Sequence, residues 1–189
     1  MPLDAGFSPV FRTHLELWRE NGGRIPWCGP AALALATGLS HAEACALLRQ
    51  VSPAHYPAGT EIVTSWWRDL VEALHRTGTA CEPLDIPADT AWGGTSLARL
   101  VRRGLEPGWY LLRVTDHFLL LHVRLGGLAL VHDNRHTAVP VSPLAFGRRR
   151  VTHAVRLHGA PGLPGGPNVR PRTHGERASL RSSGVTEAM

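Results

Sequence analysis

Hydrophobic residues recur every three or four positions through much of the first half of the chain, whereas the second half carries short, nearly continuous apolar runs. The first pattern places apolar side chains on one face of a helix. The predicted helices cover 10–18, 29–37, 41–50, 61–76 and 97–103. Gly38 fits the end of the second helix, and Ser40 with Glu43 fits a capping box at the start of the third. Thr95 or Ser96 is expected to cap the last helix.

The apolar runs of the second half are bounded by turn residues, as strands are. Including one extended piece before them, the predicted strands cover 80–84, 109–114, 117–123, 128–131, 138–141 and 151–157. Leu125-Gly126-Gly127 fits a hairpin turn between two of these strands. Helices first and antiparallel strands second predict an α+β fold.

Both patterns stop near residue 158. Residues 159–189 are rich in Gly and Pro and contain few large apolar side chains. We therefore predict a folded domain over 1–158 and a disordered tail over 159–189. A length of 189 residues with 43% hydrophobic residues suits one such domain with a real core.

Charge and cysteine content exclude several classes of protein. The net charge of +5 is carried entirely by arginine, without lysine, and is spread along the chain, which disfavours nucleic-acid binding. Three cysteines without a C-x-x-C pair disfavour both a disulfide framework and a zinc ribbon. We expect no metal and no cofactor.

The chain carries no membrane or export signal that we recognise. No apolar run approaches the ~20 residues of a membrane helix, and the first residues lack the basic and apolar blocks of a signal peptide. We therefore expect a cytoplasmic protein without a membrane partner, although export by another route would leave no mark here.

Cys28 lies at the end of a loop and at the start of the predicted helix 29–37. The N–H groups of a first helical turn, together with the positive end of the helix dipole, favour thiolate over thiol. Thiolate is the nucleophilic form, so Cys28 is the candidate nucleophile. The alternative is a buried structural cysteine, which is our interpretation of Cys45 and Cys81.

His117 is the candidate general base because it begins a strand directly after a turn. Such a position can aim a side chain into a cleft while the apolar residues that follow anchor the strand. His122 has the opposite parity on the same strand, so its side chain points to the other face, and we interpret it as a packed histidine.

Asp133 and Asn134 stand at the end of the return strand of the hairpin. The hairpin brings that end back beside His117, where a third group would fix the imidazole tautomer. Asp133 is our first choice and Asn134 the alternative, and a simple Asp-Asn turn competes with both. A metal site built on His132, Asp133 and His136 is disfavoured because the turn lacks a further well-placed ligand.

The C-G-P-A-A motif that starts at Cys28, the strand-leading His117-Phe118 and the Asp133-Asn134 pair together resemble the papain-like cysteine peptidase superfamily. The likeness is to its branch with a C-G-P-A motif, which includes bacteriocin-leader peptidases and related small bacterial and phage proteins. It spans residues 20 to 157. The resemblance implies an N-terminal helical lobe packed on a C-terminal antiparallel sheet, and acyl transfer through a thioester.

One position departs from that family. Its members usually carry a glutamine about six residues before the cysteine, which donates a hydrogen bond to the oxyanion. Here Gly22 holds that position and Asn21 lies one residue further back. Asn21 is the candidate substitute donor, and the backbone N–H of Cys28 is a second. Loss of one donor costs ~3 kcal/mol of barrier, which is compatible with a slow, a specialised or an inactive enzyme.

We therefore predict a cysteine peptidase or amidase that cleaves a peptide or isopeptide bond in a peptide or protein substrate. Cys28 attacks the carbonyl and His117 transfers the proton. Two alternatives stay open: the same triad running transamidation or acyl transfer to an amine, and a catalytically inactive binding or assembly module.

Overall fold

A computed structural model describes residues 12–89, 93–159 and 161, and over these residues the fold is mixed α+β. The helices are α1 (His14–Glu20), α2 (Cys28–Thr37), α3 (His41–Val51), α4 (Trp67–Arg76) and α5 (Leu97–Arg102). The strands are β1 (Cys81–Pro83), β2 (Thr95–Ser96), β3 (Gly108–Val114), β4 (His117–Val123), β5 (Ala129–His132), β6 (Val139–Pro140) and β7 (Arg150–Leu157).

Local capping signals set several helix ends where the sequence predicted them. Gly38 adopts a left-handed φ of 76° after α2, a conformation that glycine reaches at no steric cost. Ser40 and Glu43 form the predicted capping box of α3. Of the two candidate caps of α5, Ser96 is the one whose side chain accepts from the Arg99 N–H.

The prediction of a helix over 61–76 was wrong in its first six residues, because α4 begins only at Trp67. Residues 61–66 form neither helix nor strand, Trp66 has extended backbone angles, and the Trp66 N–H donates to the Tyr56 hydroxyl at 3.0 Å. Ser65 packs directly against Gly29 of α2. These contacts come from distant parts of the chain and override the local helical pattern.

Two other predicted elements shift. The first described helix begins at His14 rather than residue 10, because Thr13 and Glu16 form a capping box there, and it continues to Glu20. Residues 1–11 lie outside the described part of the chain. The predicted strand 138–141 contracts to Val139–Pro140, since Ala138 takes a left-handed φ of 59° that breaks the extended run.

The described strands form one antiparallel sheet in the order β1-β7-β3-β4-β5-β6, with β2 also paired to β7. The central β3 lies between β4 and the last strand, β7. Full-length pairing of β3 with β4, from Gly108 opposite Val123 to Val114 opposite His117, fixes where β4 starts. The start of β4 thereby lies next to the β3–β4 turn.

Two hydrophobic clusters form the core. One joins α2, α3 and α4 to Trp109, Leu111, Phe118 and Leu120 of the sheet, and Cys28 packs at its border. The other joins α5 to the alternate residues of the same strands, including Tyr110 and Leu112. The alternation follows from the two-residue period of a strand, which sends successive side chains to opposite faces.

Two further predictions concern the chain ends and the membrane. The disordered tail predicted for 159–189 lies outside the described residues except at Gly159 and Pro161. Among the described helices, none alone has the length and apolarity to cross a bilayer; only α2 and α3 taken together do, across a bend of 106°.

Candidate active site

Cys28 is the first residue of α2. Trp27 precedes it as the N-cap but supplies no side-chain hydrogen bond. The first intrahelical bond runs from the Ala31 N–H to the Trp27 carbonyl at 3.1 Å, and Pro30 has no N–H. The amides of Cys28 and Gly29 therefore have no acceptor within the helix and face the space at its start.

His117 is the first residue of β4 and follows a turn in which Asp116 adopts a φ of 51°. Its Nε2 lies 2.9 Å from Oδ2 of Asp133. The side chains of His117 and Cys28 interact, and each shifts the pKa of the other. Because Nε2 faces the carboxylate, Nδ1 is the ring nitrogen left for the thiol. The structure thus brings Cys28, His117 and Asp133 into one chain of contacts.

Asp133 is held in place by further donors. Its Oδ1 accepts from the Arg135 N–H at 2.8 Å and lies 2.9 Å from Nδ1 of His136. The residue is only 2% exposed. A buried carboxylate is stable in the charged form only when its lone pairs are satisfied, and here both oxygens have partners. The orientation of Oδ2 toward His117 is therefore strongly constrained.

The same contacts bias the protonation states. Burial raises the pKa of the Cys28 thiol, but hydrogen bonds from His117 and from the backbone N–H groups of Phe118 and Cys28 outweigh it, and the pKa lies below its ordinary 9.0. Burial lowers the pKa of His117, but its bonds to Asp133 and Cys28 raise it to about 9. Both shifts favour thiolate beside imidazolium over thiol beside neutral imidazole.

Asp133 completes this electrostatic arrangement. Burial raises its pKa, while the hydrogen bonds donated by His117, the Arg135 N–H and His136 lower it, and the net pKa lies below the ordinary aspartate value. Asp133 is therefore ionised at neutral pH and stabilises the positive charge on His117.

The two other cysteines provide an internal comparison, because each also lies near a histidine. Cys45 Sγ is 3.7 Å from Nε2 of His41, and Cys81 Sγ is 3.3 Å from Nε2 of His75. Burial nevertheless raises the pKa of both thiols. Neither cysteine begins a helix, so proximity to an imidazole alone does not favour the thiolate. Position at a helix start and an oriented imidazole distinguish Cys28.

Asn134, the predicted alternative to Asp133 as the group that orients His117, makes its side-chain hydrogen bond elsewhere. Its Nδ2 donates to the Pro26 carbonyl at 2.7 Å, across 108 residues of sequence. The residue is 8% exposed, and its buried Oδ1 has no hydrogen-bond partner among the described residues. Asn134 therefore ties the loop in front of Cys28 to the turn that carries Asp133.

Asn21, the candidate oxyanion donor, lies just after α1. Its Nδ2 donates to the Arg24 carbonyl at 3.0 Å, within its own loop. A role at the reacting carbon would require the side chain to release that bond.

His122 and His132 lie away from the thiol. His122 stacks on Trp109 with ring centroids 4.0 Å apart, and His132 tilts against the same indole at 5.2 Å. Burial, with a smaller contribution from His122, lowers the pKa of His132 to about 4. His132 therefore points into the core while Asp133 points to His117, so these neighbours do not converge on a common point. Within the described residues, no group of three His, Cys, Asp or Glu side chains is arranged around a metal position.

Three contributors were missed by sequence reasoning. The Phe118 N–H helps to lower the pKa of the thiol, His136 is hydrogen-bonded to Asp133, and Asn134 donates to the Pro26 carbonyl. A backbone donor leaves no trace in residue type. His136 stood out in the sequence only through its spacing from His132 and Asp133, which resembles that of metal ligands. The contact between Asn134 and Pro26 depends on tertiary structure.

The chain matches no protein-family model and no curated protein significantly.

Proposed function

We propose that this protein is a cysteine hydrolase of papain-like architecture that cleaves an amide bond in a peptide or protein through a thioester. The observation that carries the proposal is that His117, hydrogen-bonded to Asp133, also interacts with the Cys28 thiol at the start of α2. A nucleophile, a neighbouring base and a carboxylate that orients the base are the elements of this chemistry.

In the first step the Cys28 thiolate attacks the carbonyl carbon of the amide and forms a C–S bond, and the carbonyl π electrons move to oxygen. The tetrahedral oxyanion collapses, the C–N bond breaks, and the His117 imidazolium gives its proton to the leaving amine. A thioester and a neutral imidazole remain. Asp133 stabilises the imidazolium before transfer and holds the ring in position throughout.

The oxyanion needs hydrogen-bond donors close to the sulfur. The backbone amides of Cys28 and Gly29 are suited to this because α2 leaves them without helical acceptors. Their dipoles are fixed by the helix and need no reorganisation during the reaction. We assign the oxyanion to this helix start, with Asn21 as an auxiliary donor only if its loop bond to Arg24 opens.

In the second step His117, now neutral, removes a proton from water as the water oxygen attacks the thioester carbon. Collapse of the second tetrahedral intermediate breaks the C–S bond and releases the carboxylic acid. The thiolate and imidazolium are regenerated, so the cycle needs no further reactant than water. An amine in place of water would give transamidation by the same steps.

Apolar side chains exposed around the nucleophile suit a peptide substrate. Trp27, directly before Cys28, is 44% exposed, and Trp66, which follows the Gly29 contact residue Ser65, is 55% exposed. Exposed indoles bind extended peptides through large apolar area with one polar atom left to hydrogen-bond. The Cys28 side chain itself is half-buried, and that of His117 is 20% exposed, so the pair is open to solvent.

The first test is site-resolved alkylation with iodoacetamide, quantified by peptide mass spectrometry. The pH is varied from about 5 to about 10, a range that includes the ordinary pKa values of histidine and cysteine. We expect Cys28 to react faster than Cys45 and Cys81 at and below pH 7. His117→Ala should slow Cys28 labelling near neutral pH and leave Cys45 and Cys81 unchanged. Equal labelling of all three cysteines in the folded protein would contradict the proposal.

The second test measures turnover. The protein is incubated with a peptide library derived from a digested proteome, and new amino termini are quantified, with Cys28→Ala as the matched inactive variant. Adding glycinamide separates the possible outcomes: free acids indicate hydrolysis, and glycinamide adducts indicate transamidation. A reactive Cys28 that yields neither product would support the inactive binding module instead.

A further inference from the structure

A cleft of about 360 Å³ opens at the β3–β4 turn, directly before His117 in the chain. Its polar lining consists of Arg113, Thr115, Asp116, Arg150, Thr152 and His153. The Thr115 N–H donates to the Arg150 carbonyl at 2.9 Å, which joins the turn to the start of β7. The cleft is therefore built on hydrogen-bonded backbone.

The sheet register relates this cleft to the strand that packs against the nucleophile. Arg113 lies opposite Phe118 on β4 and opposite His153 on β7. Directly paired residues are roughly 5 Å apart at Cα, and their side chains share a face of the sheet. Phe118 belongs to the hydrophobic cluster against which Cys28 packs, and its backbone N–H helps to lower the pKa of the thiol. Arg113 is thus one strand away from the backbone that contacts the thiol.

The ring of Trp67 supports the same placement. It stacks on Phe118 with centroids 6.4 Å apart and tilts on His153 at 5.4 Å. The Trp67 indole therefore contacts both Phe118, in the cluster against which Cys28 packs, and His153 in the wall of the cleft.

The cleft carries more positive than negative charge. Among the described residues, neither the Arg113 nor the Arg150 guanidinium has an ion-pair or hydrogen-bond partner, whereas Arg99 and Arg103 share Asp89 and Arg156 pairs with Glu106. Asp116 contributes one opposing charge at the rim. Two permanently charged guanidinium groups with unused N–H donors match the geometry of a carboxylate.

We propose that this cleft binds a carboxylate of the substrate, so that the enzyme prefers an acidic residue or a free carboxyl terminus beside the scissile bond. This proposal rests on the proposed function, because it takes the carboxylate to belong to the substrate that Cys28 attacks. The threonine hydroxyls of the lining supply additional donors to the same group.

The contact is tested without thiol chemistry by NMR of arginine Nε–Hε signals in the Cys28→Ala variant. Three near-isosteric probes are titrated: N-acetylglutamate α-amide, N-acetylglutamine and N-acetylglutaminamide. The first carries only a side-chain carboxylate, the second only a terminal carboxylate, and the third none. Arg113→Gln and Arg150→Gln assign the signals, and Arg102, an exposed arginine of α5 outside the cleft, is the internal control.

We expect the Arg113 and Arg150 signals to shift with at least one acidic probe, less at high salt, and not with the neutral probe. The acidic probe that produces the shift identifies the source of the carboxylate. Identical responses to acidic and neutral probes, or shifts equal to those of Arg102, would overturn the proposal whether or not Cys28 is reactive.

A kinetic measurement relates the cleft to the nucleophile. Cys28 of the otherwise unchanged protein is labelled with N-ethylmaleimide and with 3-maleimidopropionate, and the ratio of the two rates is compared between variants. The double variant Arg113→Gln/Arg150→Gln should lower the anionic-to-neutral ratio about two- to fivefold, as exposed charge pairs do, whereas Arg102→Gln should not. The labelling rate with neutral N-ethylmaleimide reports on the proposed function, and the ratio of the two rates reports on the cleft. Either proposal can therefore fail without the other. An unchanged ratio counts against the cleft.

Discussion

The ring of His117 lies 2.9 Å from Oδ2 of Asp133, while Oδ1 of the same carboxylate is occupied by the Arg135 N–H and His136. The two carboxylate oxygens thus have different roles, since one orients the imidazole and the other anchors the aspartate to its own turn. A side chain with only one acceptor oxygen cannot do both. This division makes the pair testable by conservative substitution.

Asp133→Asn should weaken Cys28 reactivity. The amide has one oxygen, so either His117 or the Arg135 N–H meets an N–H group instead of an acceptor, and the negative charge that raises the pKa of His117 is lost. We expect iodoacetamide labelling of Cys28 at pH 7 to fall about tenfold or more, since each pKa unit is a factor of ten. Glu72→Gln, which removes an exposed carboxylate paired with Arg76, is the control and should leave labelling unchanged. A variant with the wild-type pH profile would refute the orienting role.

Stability should depend on pH through the same pair. The folded pKa of His117 is raised from 6.5 to about 9, so its contribution to the unfolding free energy is fully present below about pH 6.5 and is lost as the pH rises through about 9. Protonation of Asp133, whose pKa is lowered, removes the contribution at the acid end. Urea unfolding of the wild type and His117→Gln should therefore differ most near pH 5 to 6.5 and converge above about pH 9. A difference that grows with pH would contradict the assignment.

His136 is expected to act as a positioning residue. Its ring meets Phe146 edge-on at 5.2 Å, so His136→Phe retains an aromatic contact and removes only the hydrogen bond to Asp133. We expect Cys28 labelling near neutral pH to fall about two- to fivefold, with its pH profile displaced, because one hydrogen bond is worth about 1 kcal/mol. His136→Gln, which can donate to the same oxygen, should recover part of the rate. Loss of stability with an unchanged pH profile would indicate a purely structural role.

The start of α2 should tolerate no side chain at Gly29. A Cβ built there lies 2.0 Å from Oγ and 2.4 Å from Cβ of Ser65. Gly29→Ala should therefore lower the unfolding free energy by about 1–3 kcal/mol, as overpacking does, and should slow Cys28 labelling because the helix start is displaced. In the double variant Gly29→Ala/Ser65→Gly both clashing atoms are gone, and we expect partial recovery in chemical denaturation. Additive losses in the double variant would show that the contact with Ser65 is not the cause.

Local patterns predicted most elements because their causes lie within a few residues. The capping box of Ser40 and Glu43, the left-handed Gly38 and the cap at Ser96 depend on neighbours three or four positions away. The hairpin of β4 and β5 is equally local. Its short turn is why the spacing between His117 and Asp133 predicted their proximity. The coarse α+β arrangement follows from these local signals.

Tertiary structure alone decided the rest, because the deciding contacts join residues far apart in sequence. The apolar stripe of 61–66 suits a helix, yet contacts with the Tyr56 hydroxyl and Gly29 keep the segment out of helix. The insertion of β7 between β1 and β3 has no local signature. The sequence by itself thus determined which side chains carry reactive groups and, apart from 61–66 and a few element ends, which segments are helix or strand. Only packing determined that Asn134 holds the loop of Pro26, that Cys28 packs against the cluster containing Phe118 and that Arg113 and Arg150 line one cleft, since such contacts depend on long-range burial rather than on local propensity.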